Sequence, residues 1–283
     1  MFKIGIVGAG IMGTQQAQML SSKLLSSRAK LIGVCDTSFK RARALAKTHQ
    51  VPAYEDLERF LQTEKPDAIY IAVPDDVHRE PVLTAAKHKV HLLVEKPLAT
   101  TTVDAQAITR AIKAAGIVAE VNFSNRWNPP YMAAYNSIKA GKIGEVVTIN
   151  ARLSNRIWVP TKMLSWAGST TAGWFLLSHT IDLATWLSGK KAVSVYANGV
   201  KKKLLAMGIP TWPWAYPPMT ISTPSCAMKM EPMPCLRRSG CCPKVPPPSL
   251  TSNTRLSARM EPSISTPRTR PFMLPARSAW NTP

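Results

Sequence analysis

Phe2-Lys3-Ile4-Gly5-Ile6-Val7-Gly8-Ala9-Gly10-Ile11-Met12-Gly13 stands at the head of the chain and decides its fold. A six-residue apolar run of strand length gives way to three glycines at fixed offsets, and a helical pattern follows over 11–26. Gly8 permits a tight turn, Gly10 lets backbone approach a pyrophosphate, and Gly13 lets helix and strand pack closely. The helix start then presents free N–H groups and the positive end of its dipole. The same residues without a ligand would be a glycine-rich turn. The strand before them, the helix after them and Asp36 at the end of the next strand favour dinucleotide binding.

Further runs repeat the unit. Strands are expected near 30–35, 67–73, 90–94 and 117–121, and helices near 38–48, 79–88 and 103–115. Unbroken Ile/Val/Leu runs suit strands covered on both faces, and strand–helix alternation predicts α/β architecture with a doubly wound parallel sheet. From about 144 the pattern changes. Residues 145–153 alternate like a strand with one wet face, and a helix near 179–188 and a strand near 192–200 follow. This reads as the start of a second, α+β domain.

Several side chains carry candidate chemistry. Asp36 suits an adenosine ribose and would repel a 2′-phosphate, which favours NAD. Lys40 and Arg41 follow closely and leave NADP open, and an N-cap role for Asp36 is the plainer alternative. Glu95-Lys96-Pro97 follows the strand 90–94 at the carboxyl edge, where open α/β sheets bind ligands. A lysine there stabilises a developing alkoxide; a surface Glu–Lys pair is the bland reading. His179 and Asp182 lie three apart on a helix and share a face. The histidine is suited to exchanging an alcohol proton and the carboxylate to orienting it, although a structural histidine with a partner would have the same spacing. The five cysteines show no CxxC spacing and no HExxH occurs, so no metal site is expected.

Taken in order, GIVGAGIMG, Ala72-Val73-Pro74 through His78, Val94-Glu95-Lys96-Pro97-Leu98-Ala99, Asn125-Arg126-Trp127-Asn128-Pro129 and His179-Thr180-Ile181-Asp182 resemble the glucose–fructose oxidoreductase/inositol dehydrogenase (Gfo/Idh/MocA) family. The resemblance covers residues 1 to about 207. It implies a Rossmann domain over 1–122, an α+β substrate and oligomerisation domain from 123, and NAD(P)-dependent chemistry on a sugar, polyol or related hydroxyl compound. It implies Lys96 and His179 as catalytic residues. Cofactor contacts are implied at Gly8, Gly10, Ile11, Met12, Gly13, Asp36, Val73, Pro74, His78, Glu95 and Lys96, and substrate contacts at Arg126, Trp127 and Asp182. Many members carry aspartate four residues before the catalytic histidine; that position is Phe175 here.

Composition breaks near residue 204. Residues 1–203 carry 27 Lys+Arg and 14 Asp+Glu, whereas 204–283 carry 9 and 2, with 16 of the 24 prolines and four of the five cysteines. Leu, Ile, Val and Phe fall to 11 of these 80 residues, too few for a packed core. Residues 208–283 are expected to lack regular structure, which would impair assembly and activity and leave a dinucleotide-binding protein without turnover.

Codons suggest a cause. Met228-Lys229-Met230-Glu231-Pro232 requires ATG AAR ATG GAR CCN, and read two bases later this becomes Glu-(Asp/Asn)-Gly-(Ala/Thr). The same shift at Met260-Glu261-Pro262-Ser263-Ile264-Ser265 permits Gly-Ala-Ile-Tyr-Ile. Both phrases resemble strand motifs of the family's C-terminal sheet, so the tail reads as a shifted frame.

The net charge of +20 raises nucleic-acid binding as a rival class. No reader motif or stacking platform accompanies that charge, so none is expected. No apolar run approaches a membrane span, and the strand at residue 2 leaves no room for a secretory signal. The chain reads as cytoplasmic.

Overall fold

We describe the protein from a computed structural model, which covers residues 1–197 and, as backbone alone, 199–200, 219–220 and 229–232. Strands β1 (Phe2–Val7), β2 (Ala29–Cys35), β3 (Ala53–Tyr54), β4 (Ala68–Ile71), β5 (His91–Val94) and β6 (Ala119–Val121) form one sheet in the order β3-β2-β1-β4-β5-β6. Every pairing in it is parallel. This is the doubly wound arrangement expected of apolar strands with crossover helices. Its chain order reverses between β1 and β4, which creates a crevice at the carboxyl edge.

The helices α1 (Ile11–Leu20), α2 (Phe39–His49), α3 (Leu57–Glu64), α4 (Arg79–Lys87) and α5 (Thr102–Ala115) cover the two faces. Ile6, Val34 and Tyr70 pack with Ala17, Leu20, Ala42 and Leu45 on one side. Ile69, Ile71, Leu92 and Val94 pack with Phe60, Leu61, Val82 and Ile108 on the other. Successive strand residues point to opposite faces, so a strand buried on both sides must be apolar throughout. Phe60 is fully buried over a window made by two glycines. A Cβ on Gly5 would lie 2.4 Å from its ring, and one on Gly33 would lie 2.6 Å from it.

Some expectations need correction. The first helix ends at Leu20 rather than 26. Residues 21–28 make turns instead, and Ser26 Oγ donates to the Lys23 carbonyl at 3.0 Å, as serines that compete for the backbone do. Strand β3 and helix α3 were not anticipated. Helix α3 begins at an Asp56 cap whose carboxylate accepts from the Arg59 N–H at 2.6 Å.

Past β6 come a 3-10 turn at Ser124–Trp127, α6 (Pro129–Lys139), a π-helical turn at Gly173–Leu177 and α7 (Ser178–Ser188). The strand expected over 145–153 is absent: these residues are irregular, and Val147 is 94% exposed. Alternation is necessary but not sufficient, because a strand also needs a neighbour for its ladder, and no described residue supplies one. The strand expected over 192–200 is split into β7 (Lys190–Ser194) and β8 (Gly199–Val200). Strand β9 (Met219–Thr220) pairs with β8, and β10 (Lys229–Pro232) runs antiparallel to β7. The expected absence of regular structure over 208–283 thus gives way at these two short pieces; the rest of that stretch lies outside the described residues. Among the described residues no helix is long and apolar enough to cross a membrane.

Candidate active site

The glycine turn joins β1 to α1. Gly8 adopts φ +99°, and a Cβ there would fall 2.2 Å from the Ala72 carbonyl oxygen. A Cβ on Gly13 would come within 1.8 Å of the Gly8 carbonyl oxygen. Both glycines are therefore required by the fold itself. Gly10 differs, because nothing lies within 4 Å of the Cβ it lacks. It caps α1 without a side-chain hydrogen bond, so no capping side chain claims the first-turn N–H groups. This cradle fits a pyrophosphate: anion-binding donors converge where an added side chain would stand.

Asp36 sits at the end of β2, 7% exposed. Its carboxylate accepts from the Ala9 N–H at 2.8 Å and the Ser38 N–H at 2.7 Å, and Arg41 Nη2 donates to it at 2.8 Å. Burial alone would raise its pKa, but the donors from Arg41, Ser38 and Ala9 outweigh that and hold it below the usual carboxylate range. Asp36 thus braces the glycine turn and the start of α2 while remaining charged. The contribution of Arg41 is a pairing that spacing alone did not predict.

Lys96 follows β5, before a cis Lys96–Pro97 bond. Its Nζ donates to the Phe175 carbonyl at 3.0 Å and lies 4.1 Å from the centre of the Phe175 ring. Burial pushes its pKa down, while the carboxylates of Asp75 and Glu95 oppose this. Glu95 is buried and fully engaged. One oxygen receives the Tyr70 hydroxyl and, at 2.8 Å, Asn122 Nδ2; the other receives the Lys96 N–H at 3.2 Å.

His179 lies on α7, one turn past Phe175. Burial and the Lys96 charge push its pKa down, against Glu95 and Asp182. Among the described residues nothing hydrogen-bonds its buried Nδ1. The expectation that Asp182 orients this ring is corrected: Asp182 is held by Arg126, with Nε at 2.8 Å and Nη2 on its other oxygen. Arg126 and Asp182 neutralise each other, a bidentate geometry suited to guanidinium and carboxylate. Trp127 is 70% exposed.

His78 also takes a different role from the one expected. Its ring is buried, with Nδ1 2.7 Å from the Pro97 carbonyl and Nε2 3.1 Å from the Val73 carbonyl. Neither nitrogen is left for a cofactor; the ring ties the loop after β4 to the loop after β5. Val73 and Pro74 belong to the first of these loops. Sequence reasoning passed over Asp75, although it lies inside the Val73–His78 motif. It is 3% exposed, and Thr170 Oγ1 donates to it at 2.7 Å.

The chain matches known proteins over the same stretch. A family model described as oxidoreductase family, NAD-binding Rossmann fold, matches residues 2–123, and one described as GFO/IDH/MocA C-terminal domain matches 131–205. The chain is 27% identical to an inositol 2-dehydrogenase of Rubrobacter xylanophilus over 201 residues, 70% of this chain and 55% of that protein. It is 26% identical to a scyllo-inositol 2-dehydrogenase (NAD(+)) of Bacillus subtilis over 198 residues, 70% of this chain and 57% of that one. A scyllo-inositol dehydrogenase from Lactobacillus casei, solved with NAD(H) and scyllo-inositol, superposes with TM-score 0.65 at 24% identity, over 73% of this chain and 62% of that one. The chain spans a little over half the length of the curated relatives it matches.

Proposed function

Because the chain belongs to the Gfo/Idh/MocA family of oxidoreductases, we propose that it transfers a hydride between NAD and a carbinol carbon of a sugar, polyol or related hydroxyl compound. One observation carries the reading. At the carboxyl edge of the sheet, a half-buried ammonium, Lys96 Nζ, is bonded to the segment that leads directly into His179. The unpartnered Nδ1 of that histidine is the kind of exception that buried polar groups show at working sites.

The roles follow from charge. NAD, when bound, would supply the hydride-accepting carbon; Gly10 and the first turn of α1 would hold its pyrophosphate and Asp36 its adenosine ribose. Lys96 Nζ donates to the substrate oxygen and stabilises the negative charge that develops there. His179 takes the hydroxyl proton; its lowered pKa keeps it neutral and able to accept near pH 7. The named relatives that act on inositols make cyclic polyols the first substrates to try.

The geometry around Lys96 also favours a second reading, binding without turnover. Phe175 covers the ammonium with both its ring and its carbonyl. Incubation with NAD and a panel of inositols and sugars separates the two. Growth of NADH absorbance supports the enzyme; saturable NAD binding with no NADH from any substrate supports the second reading.

The shifted-frame reading of the tail remains a proposal, supported by the family match ending at residue 205. Sequencing codons 205–215 should reveal a lost or gained base relative to the coding frame of close relatives. An uninterrupted frame there removes it.

A further inference from the structure

Two hydroxyl–carboxylate bonds tie the loop after β4 to the segment ahead of α7. Thr170 Oγ1 donates to Asp75 Oδ2 at 2.7 Å, and Ser169 Oγ donates to Asp76 Oδ1 at 3.3 Å. Asp75 is all but dry, and the His78 ring ties its loop to the Pro97 carbonyl, next to Lys96. Despite this, the Lys96 ammonium bonds to the Phe175 carbonyl and not to either carboxylate. A buried carboxylate beside a half-buried ammonium, with no competing donor, is drawn toward it by charge. Glu95 is restrained by Tyr70, Asn122 and the Lys96 N–H. The restraint on Asp75 is Thr170.

We propose that Thr170 is a positioning residue: by claiming the Asp75 carboxylate, it keeps that group from closing on Lys96, so that a substrate oxygen has only the Phe175 carbonyl to compete with for the ammonium. Asp75 then acts at a distance, as a counter-charge that favours the protonated lysine without occupying its donors. The other ionisable groups facing this cluster are Glu95, His78, Asp76 and His179. The same bond holds the segment that carries Phe175 and leads to His179 against the dinucleotide domain.

This rests on the reading of Lys96 as the catalytic lysine, but its test does not require turnover. The rate at which Lys96 is acylated by acetic anhydride at pH 8, read by mass spectrometry of its peptide, reports how much free amine is present. Asp75→Asn removes the counter-charge, so Lys96 should lose its proton more readily and label about threefold faster or more. Thr170→Val frees the carboxylate to pair with the ammonium, so labelling should slow about threefold or more. Thr170→Ser should restore the original rate. A merely structural role would loosen the loop and raise labelling in both variants. If Asp75→Asn does not fold, Thr170→Val decides alone: unchanged or faster labelling overturns the proposal. Absence of NADH production by the unaltered chain would instead count against the dehydrogenase reading, and leaves the labelling result to stand by itself.

Discussion

Replacing Gly10 by valine is expected to weaken dinucleotide binding about a hundredfold or more while leaving the fold intact. Among the described residues, none but its chain neighbours comes within 4 Å of a Cβ built on Gly10, and its backbone (φ −83°, ψ −162°) is extended, a region open to any residue. The substitution should therefore cost at most about 1 kcal/mol, the scale of a changed helix cap. A valine there would stand in the path of the pyrophosphate and separate it from the first-turn donors of α1. Charge-assisted hydrogen bonds contribute about 1.5–3 kcal/mol each, so losing two weakens binding about a hundredfold or more. NADH fluorescence titration and thermal unfolding check the two halves together. Gly8→Ala is the contrast. Its Cβ would meet the Ala72 carbonyl at 2.2 Å in a left-handed conformation, so it should lower stability as well as binding.

Lys96→Ala and His179→Ala should each reduce turnover about a hundredfold or more, the usual scale for a positioned acid–base group. The pH profile separates their roles. Burial disfavours the charged form of both side chains. In the proposed mechanism His179 acts when neutral, so the acid limb of turnover should fall below the ordinary histidine value of 6.5. In the same mechanism Lys96 acts when protonated, so the alkaline limb should fall below the ordinary lysine value of 10.5. His179→Ala should erase the acid limb, and Lys96→Ala the alkaline one. Full turnover in both variants would contradict the assignment.

Most of the parallel sheet was legible, because a strand covered on both faces must be apolar along its length. β1, β2, β4 and β5 announce themselves that way, and β6 was read from the run 117–121 although its Glu120 is exposed. β3 does not, being only two residues long. The helix behind it was readable in principle: Asp56 supplies a cap, and Leu57, Phe60 and Leu61 recur at helical spacing. Residues 145–153 failed in the opposite sense, since a strand pattern specifies a face and not a partner. At the site, position along the sheet was legible and partnership was not. Lys96 and Asp36 occupy the strand ends where they were expected. That Arg126 would take Asp182 away from His179, that the Pro97 carbonyl would claim His78, and that Phe175 would meet Lys96 depend on contacts across 19 to 79 residues of chain. No local pattern encodes contacts at that range.

The most direct measurement follows one atom. An inositol that carries deuterium on its carbinol carbons, incubated with the protein and NAD in ordinary water, should yield NADH one mass unit heavier, with the deuterium on the nicotinamide ring. Retention of all deuterium in the polyol, or NADH formed without the label, would contradict hydride transfer at this site.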